Sequence, residues 1–355
     1  MPTVNHAIAL KGVRKTFGPM VAVHDLDLVI EEGSLHGFIG PNGAGKTTTI
    51  RMIMSILFPD RGEISVLGKK SAIESKDRIG YLPEERGIYK KMKVGPFLKY
   101  MAGLKGVPAS GLEGKVRGWL ERIGLDGTYR KRCEELSKGM QQKVQFIAAI
   151  IHEPELIILD EPFSGLDPVN SRMLRELIDE QHRQGKTIIF STHQMSQAEA
   201  LCDRVVMIHH GHKVLDNTPS NIHSRFDPRS VAMEPMRPLS PMDVDRIAGM
   251  PQVESIKQVG RQWQVHARDR VDVAALIPVL AGFVPVRKIE LVRPSLEDIF
   301  ISIVQTSNNP AEHAALLASL HPGGVAGAAP GEVAVSAGAA ALVTASGSSG
   351  DQGGD

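Results

Sequence analysis

At 355 residues the chain is long enough for one large domain plus a smaller one, each with its own core. Its 42% hydrophobic and 23% charged residues are those of an ordinary soluble globular protein, and a formal net charge of +1 gives no electrostatic reason to expect a nucleic-acid partner. No apolar run approaches the ~20 residues that cross a bilayer, the first residues lack a signal peptide's basic and apolar regions, and two cysteines, Cys133 and Cys202, make neither a disulfide framework nor a metal cluster. The expectation is a cytosolic protein.

Residues 1–226 read as one α/β domain. Segments 7–17 and 21–30 alternate apolar and polar residues, as half-buried antiparallel strands do. Residues 35–39 form a short apolar strand that runs into a glycine-rich turn and a helical stretch over 46–57. Further apolar runs at 79–82, 156–159, 187–190 and 205–208 have the character of strands covered on both faces. Between residues 82 and 156 the pattern turns helical, at 94–104, 112–123 and 140–151, which predicts a helical insertion into the sheet domain.

After Asp227 and Pro228 the order strand (230–233), helix (241–248), strand pair (253–259 and 262–267), helix (271–281), strand (286–291) and helix (295–304) predicts a ferredoxin-like α+β module over 227–306. Ser295 and Asp298 have capping-box spacing. From 307 to 355 the chain is mostly Ala, Gly and Ser with no Lys or Arg, a composition that predicts a disordered tail.

Gly40-Pro41-Asn42-Gly43-Ala44-Gly45-Lys46-Thr47 fits G-x-x-x-x-G-K-[ST] between a strand and a helix. Its glycines let successive N–H groups point at phosphate oxygens, and the helix N-terminus adds positive potential there. Gly40, Asn42, Gly43, Ala44, Gly45, Lys46, Thr47 and Thr48 are therefore candidate ATP-binding residues, with Lys46 directed to the β- and γ-phosphates and Thr47 to Mg²⁺. Four apolar residues, Leu156 to Leu159, end in Asp160 and Glu161. Asp160 is placed to hold Mg²⁺, and Glu161 is the candidate general base.

Beyond these two motifs, Leu136-Ser137-Lys138-Gly139-Met140-Gln141-Gln142 resembles the signature of ABC ATPases, Ser164-Gly165-Leu166-Asp167 their D-loop, and Ser191-Thr192-His193 their switch-histidine loop. Phe17 matches the ring that stacks on adenine in that family. Residues 79–89 and 292–300 resemble the sodium-efflux and multidrug-export branch, whose ATPases are separate subunits.

The resemblance implies a P-loop ABC ATPase core with antiparallel and helical subdomains. It implies a head-to-tail dimer of two copies around two ATPs, paired with an integral-membrane permease on the cytoplasmic face. In such a dimer each phosphate loop faces Ser137 and Gly139 of the other copy. Glu161 is the base, His193 holds the γ-phosphate and attacking water, and Asp167 links the two sites. A chain with one phosphate loop and one signature completes a site by pairing. Lys138 and Met140 depart from the signature, and Glu84 stands where the family has a metal-facing glutamine, putting a charge in place of a neutral amide.

Two other classes compete: a soluble ABC ATPase of the iron–sulfur-assembly or translation type, and a non-hydrolysing nucleotide sensor regulated by the small module. The small C-terminal unit weighs against the first, the complete set Asp160, Glu161 and His193 against the second.

Overall fold

The computed structural model describes residues 6–85, 87–225, 230–268 and 271–306. The tail over 307–355 and the loop residues Asp227 and Pro228 lie outside them. β1 (His6–Phe17) and β2 (Met20–Glu31) form a hairpin in which Phe17 faces Met20 across the turn. β3 (Leu35–Ile39) leads through the glycine-rich loop into α1 (Lys46–Ile53). That helix stops short of residue 57, because Ser55 turns left-handed at φ 55°. The N–H groups of Ile56 and Leu57 then close on the Arg51 carbonyl at 2.9 and 3.1 Å, a helix stop with no Gly or Pro to announce it.

β4 (Arg61–Val66) was not expected from the sequence, and it pairs with β1 to give an antiparallel sheet of order β2-β1-β4. Its first three residues are exposed, and the alternation of Glu63, Ile64, Ser65 and Val66 is a short signal next to the longer apolar runs.

The main sheet adds β5 (Ile79–Leu82), β6 (Leu156–Asp160), β7 (Thr187–Thr192), β8 (Arg204–His209) and β9 (His212–Asn217), in the order β5-β6-β7-β3-β8-β9. All neighbours are parallel except β8 and β9. Alternate side chains feed two cores, as strands covered on both faces require: Ile157, Leu159, Ile188 and Phe190 face one, Leu156, Ile158 and Ile189 the other. The register sets Asp160 beside Ser191 and Ile39 beside Thr192. The loops after β3, β6 and β7 therefore emerge side by side at the carboxyl edge of the sheet, where open α/β sheets bind ligands.

The helical insertion is present as α2 (Val94–Leu104), α3 (Leu112–Arg122) and α4 (Lys138–Ile150). α5 (Pro168–Arg183) follows β6, α6 (Met195–Leu201) follows β7 and α7 (Pro219–Arg225) follows β9. The start of α5 is written in the sequence as Asp167-Pro168: the carboxylate accepts from the N–H groups of Val169 and Asn170 at 3.0 and 2.9 Å, and Pro168 fills the first helical position.

The remaining elements are β10 (Ser230–Pro235), α8 (Pro241–Ala248), β11 (Val253–Val259), β12 (Gln262–Ala267), α9 (Leu276–Phe283), β13 (Val286–Val292) and α10 (Leu296–Thr306). Their sheet, β11-β12-β10-β13, is antiparallel throughout, which is the ferredoxin-like order expected from the sequence. Val231, Val265, Leu276 and Leu280 belong to its own apolar core. Ser295 and Asp298 exchange backbone and side-chain hydrogen bonds at the start of α10. The buried stripe of that helix, Leu296, Ile299 and Ile303, joins the core of the large sheet and helical insertion rather than that of the small sheet.

Candidate functional site

Three glycines shape the loop between β3 and α1. A Cβ on Gly40, at φ 148°, would stand 2.1 Å from the Ile208 carbonyl, and one on Gly45, at φ 106°, would meet the Ala22 carbonyl at 2.6 Å. Only glycine fits either place, and Gly43 turns at φ 78°. With the loop drawn in, the Lys46 ammonium donates to the carbonyls of Gly40 at 2.8 Å and Pro41 at 3.1 Å. Burial pulls its pKa below the ordinary lysine range, against the opposing pull of Glu161, Asp160 and Glu84. Its nitrogen lies 3.9 Å from Glu161 Oε1.

The strand ends knit the acids together. Thr47 Oγ1 donates to Asp160 Oδ1 at 3.2 Å, and the Ser191 hydroxyl donates to the same oxygen. The Glu161 N–H is held by Ser191 Oγ at 3.0 Å, with Glu161 itself at φ 48°, a left-handed conformation uncommon outside glycine. His193 Nδ1 lies 3.1 Å from Glu161 Oε2. Two carboxylate oxygens, Asp160 Oδ2 and Glu161 Oε1, are buried without a hydrogen-bond partner. Such atoms are expensive to leave bare, and they mark where a bound group belongs.

A cleft of about 650 Å³ opens over this frame, lined by Phe17, the loop residues Asn42 to Thr48, Glu84 and Glu161. Phe17 is 44% exposed at its rim, with the Lys15 ammonium 5.6 Å from the ring centre. Gly40 sits at its root through the Lys46 bond, Asp160 behind Thr47, and His193 behind Glu161.

Ser137, Gly139 and Asp167 are not among the residues lining the cleft. Ser137 caps α4, accepting from the Met140 N–H at 3.3 Å, and Gly139 lies where an added Cβ would touch Leu166 and Asn170 at 3.5 and 3.6 Å. Gly139 thus lies beside residues that flank Asp167 in its own chain.

Sequence reasoning assigned no role to Ser191, which links Asp160 to Glu161. Its place at the head of the Ser-Thr-His triplet was the available signal. It also missed His24, His210 and Gly211, which line the cleft too, the Gly211 N–H donating to the Ala44 carbonyl of the loop at 2.8 Å. No motif marks them.

A glycine-rich loop between strand and helix, with paired acids on a nearby strand end, defines a P-loop nucleotide-hydrolysing core. Residues 23–164 match the family model described as ABC transporter, and residues 218–304 match that of the ATP-binding protein DrrA1-3-like, C-terminal domain. The uncharacterized ABC transporter ATP-binding protein YhaQ of Bacillus subtilis is 40% identical over 304 residues, which cover 86% of this chain and 98% of that one. A Nod factor export ATP-binding protein I of Rhizobium sp. is 31% identical over 301 residues, covering 84% and 96%. Among solved structures, an ATP-binding subunit of an ABC transporter is similar at a TM-score of 0.58 and 31% identity, over 63% of this chain and 93% of its own. The chain belongs to the ABC transporter ATP-binding proteins, the subunits that bind ATP and hydrolyse it to drive transport. Subunits of this family work with membrane permeases, and among the described residues no helix is long and apolar enough to cross a membrane.

Proposed function

We propose that this chain is the motor subunit of an exporter, closing head to tail with a second copy around two ATPs and driving a separate integral-membrane permease from the cytoplasmic face. Export is the function printed for the Rhizobium relative, which this chain matches along nearly its whole length. The ATPase domain spans residues 1–226 and the accessory domain 227–306 in this reading.

The observation that carries the hydrolytic part is the bare, buried Glu161 Oε1 beside Lys46, with the other oxygen of the same carboxylate engaged by His193. Lys46 and the N–H groups of the loop bind the β- and γ-phosphates, and Phe17 stacks on the adenine. Glu161 takes a proton from the attacking water as the water oxygen bonds to the γ-phosphorus. The bond to the bridging oxygen breaks, and ADP keeps its electron pair. His193, oriented through Nδ1, presents Nε2 to the γ-phosphate. Ser137 and Gly139 of the other copy close over the same phosphate, and Asp167 joins the two sites.

The residues fit Mg²⁺: Asp160 Oδ2 is bare and buried, the other oxygen of that carboxylate accepts from the Thr47 hydroxyl, and Glu84 faces the same cleft. Thr47, Asp160 and Glu84 would hold the ion, which would supply positive charge to offset the negative charge of the phosphates.

Glu161→Gln keeps the size of the side chain and removes its charge. Phosphate release should fall 10²- to 10⁴-fold, the range of general-base losses, while ATP converts the variant to a dimer on a sizing column. Near-native turnover by Glu161→Gln would remove Glu161 as the base. A variant that is slow but stays monomeric with ATP would leave the chemistry and remove the sandwich.

A further inference from the structure

α6 begins at Met195, two residues beyond His193, and is tied to its surroundings at its far end and along its side. Its far end is fixed on the strand that carries the phosphate loop. The Asp203 N–H donates to the Leu35 carbonyl at 3.0 Å, the Leu35 N–H donates to Asp203 Oδ2 at 2.9 Å, and a Cβ on Gly37 would come within 2.7 Å of Cys202 Sγ. Its outer side meets both chain connections of the small domain. The outgoing connection is α7, whose His223 Nε2 lies 2.6 Å from Glu199 Oε1 of α6 and whose Ile222 is fully buried. The returning connection is α10, packed along α6 with Leu296, Ile299 and Ile303 in the shared core and Phe300 against it.

Phe300 also sets its ring edge-to-face on the His209 imidazole, with centres 5.4 Å apart and planes at 78°. His209 is followed by His210, which lines the nucleotide cleft. The two ends of the accessory domain thus converge on the helix behind the switch histidine and on the strand end behind the cleft wall. A domain appended for its own sake needs one linker, with few contacts crossing the boundary. Here both connections are packed into the ATPase core.

We propose that α7 and α10 form a brace on α6, in which Phe300 and the Glu199–His223 pair are positioning residues that hold His193 at the γ-phosphate. The proposal rests on the reading of His193 given above. None of the three lines the cleft, so their effect is on how often His193 stands in the productive place, and it is read in kcat rather than in ATP binding. The brace also ties both chain connections of the small sheet to the helix that follows His193.

The test is a mutant cycle on the full-length chain, reading kcat and KM for ATP, affinity for a non-hydrolysable ATP analogue, and melting temperature. Phe300→Ala should lower kcat about tenfold with KM and analogue affinity within about twofold, inside the ~10²-fold that a 1 Å misplacement can cost. Phe300→Leu, which keeps most of the packing volume, should retain most of the rate. His193→Ala should be slow, and adding Phe300→Ala to it should slow it no further, with residual turnover followed by radiolabelled ATP over hours.

Equal losses from Phe300→Ala in both backgrounds would overturn the brace while leaving His193 in its role. So would an unchanged kcat, or a loss confined to ATP affinity. A His193→Ala variant that turns over like wild type would remove the role of His193 and the brace with it. Should Phe300→Ala fail to fold, Glu199→Ala is read in the same cycle against the same expectations.

Discussion

Lys46, Asp160 and Glu161 are each less than a tenth exposed and are linked through neighbouring strand ends, whereas Ser137 and Asp167 are exposed and spend their side chains on capping their own helices. The first group is finished by bonds inside one chain, apart from two bare oxygens that await a ligand. The second offers backbone and a hydroxyl outward, next to Val169, an apolar side chain left 78% exposed. In the head-to-tail dimer proposed above, these are the two halves of one site.

The strongest way to break this comparison is to disable the halves separately. Lys46→Ala removes the phosphate ligand, and Gly139→Asp puts a carboxylate where the other copy's γ-phosphate should approach. That acid sits in the first turn of α4, where the helix dipole favours it, so the fold should hold. Each variant alone should lose at least ~10²-fold in ATPase rate. An equal mixture should recover up to about a quarter of the wild-type rate, since half the dimers then carry one whole site of two. No recovery in a mixture that still forms dimers with ATP would mean that the halves do not combine across chains.

A smaller effect sharpens the metal side of the cleft. Glu84→Ala should raise the Mg²⁺ concentration for half-maximal turnover about threefold to tenfold, and Glu84→Gln less, because a carbonyl ligand survives. Identical midpoints in all three proteins would leave Glu84 a charge on the cleft wall with no hold on the metal.

The smallest effect probes the ground under each half. His36, on β3 below the phosphate loop, and His152, just past α4, are both held by burial at a pKa of about 4. Folded chains keep these imidazoles neutral, while unfolded chains protonate them below about 6.5. The unfolded state therefore binds more protons between pH 6.5 and 4, and stability present at pH 7 is lost as the pH falls through that window. The urea midpoint should drop from pH 7 to pH 5 by an amount worth about 1–2 kcal/mol per histidine. His152→Gln should flatten the slope; an unchanged slope would exclude His152 as a contributor.

The two regions also differed in how plainly they were written. Gly40 to Thr47 and Asp160-Glu161 are local patterns, and the strands leading to them are short apolar runs, so the frame of the cleft was legible. His24, His210 and Gly211 come from two edges far apart in sequence, and only the strand order brings them to the loop. β4 escaped notice because only its last four residues alternate, too short a run to stand out, and α1 ended early on a left-handed serine. The capping residues of α10 were legible and so was its apolar stripe. Which core the stripe fills was not, because amphipathicity gives a face and never its partner.

The central position of β3 bears on the birth of the protein. Leu35 pairs with Ile188, and His36 with Arg204 on the other side, so both neighbours of the strand are made long after it. The ribosome must carry a glycine-rich loop with nothing to draw it into shape while the whole helical insertion emerges and folds on local contacts. ATP has no formed cleft to enter until the chain has passed Gly211. A nascent chain therefore acquires nucleotide binding in one late step, and stalling it before that point should yield a folded insertion with no affinity for ATP.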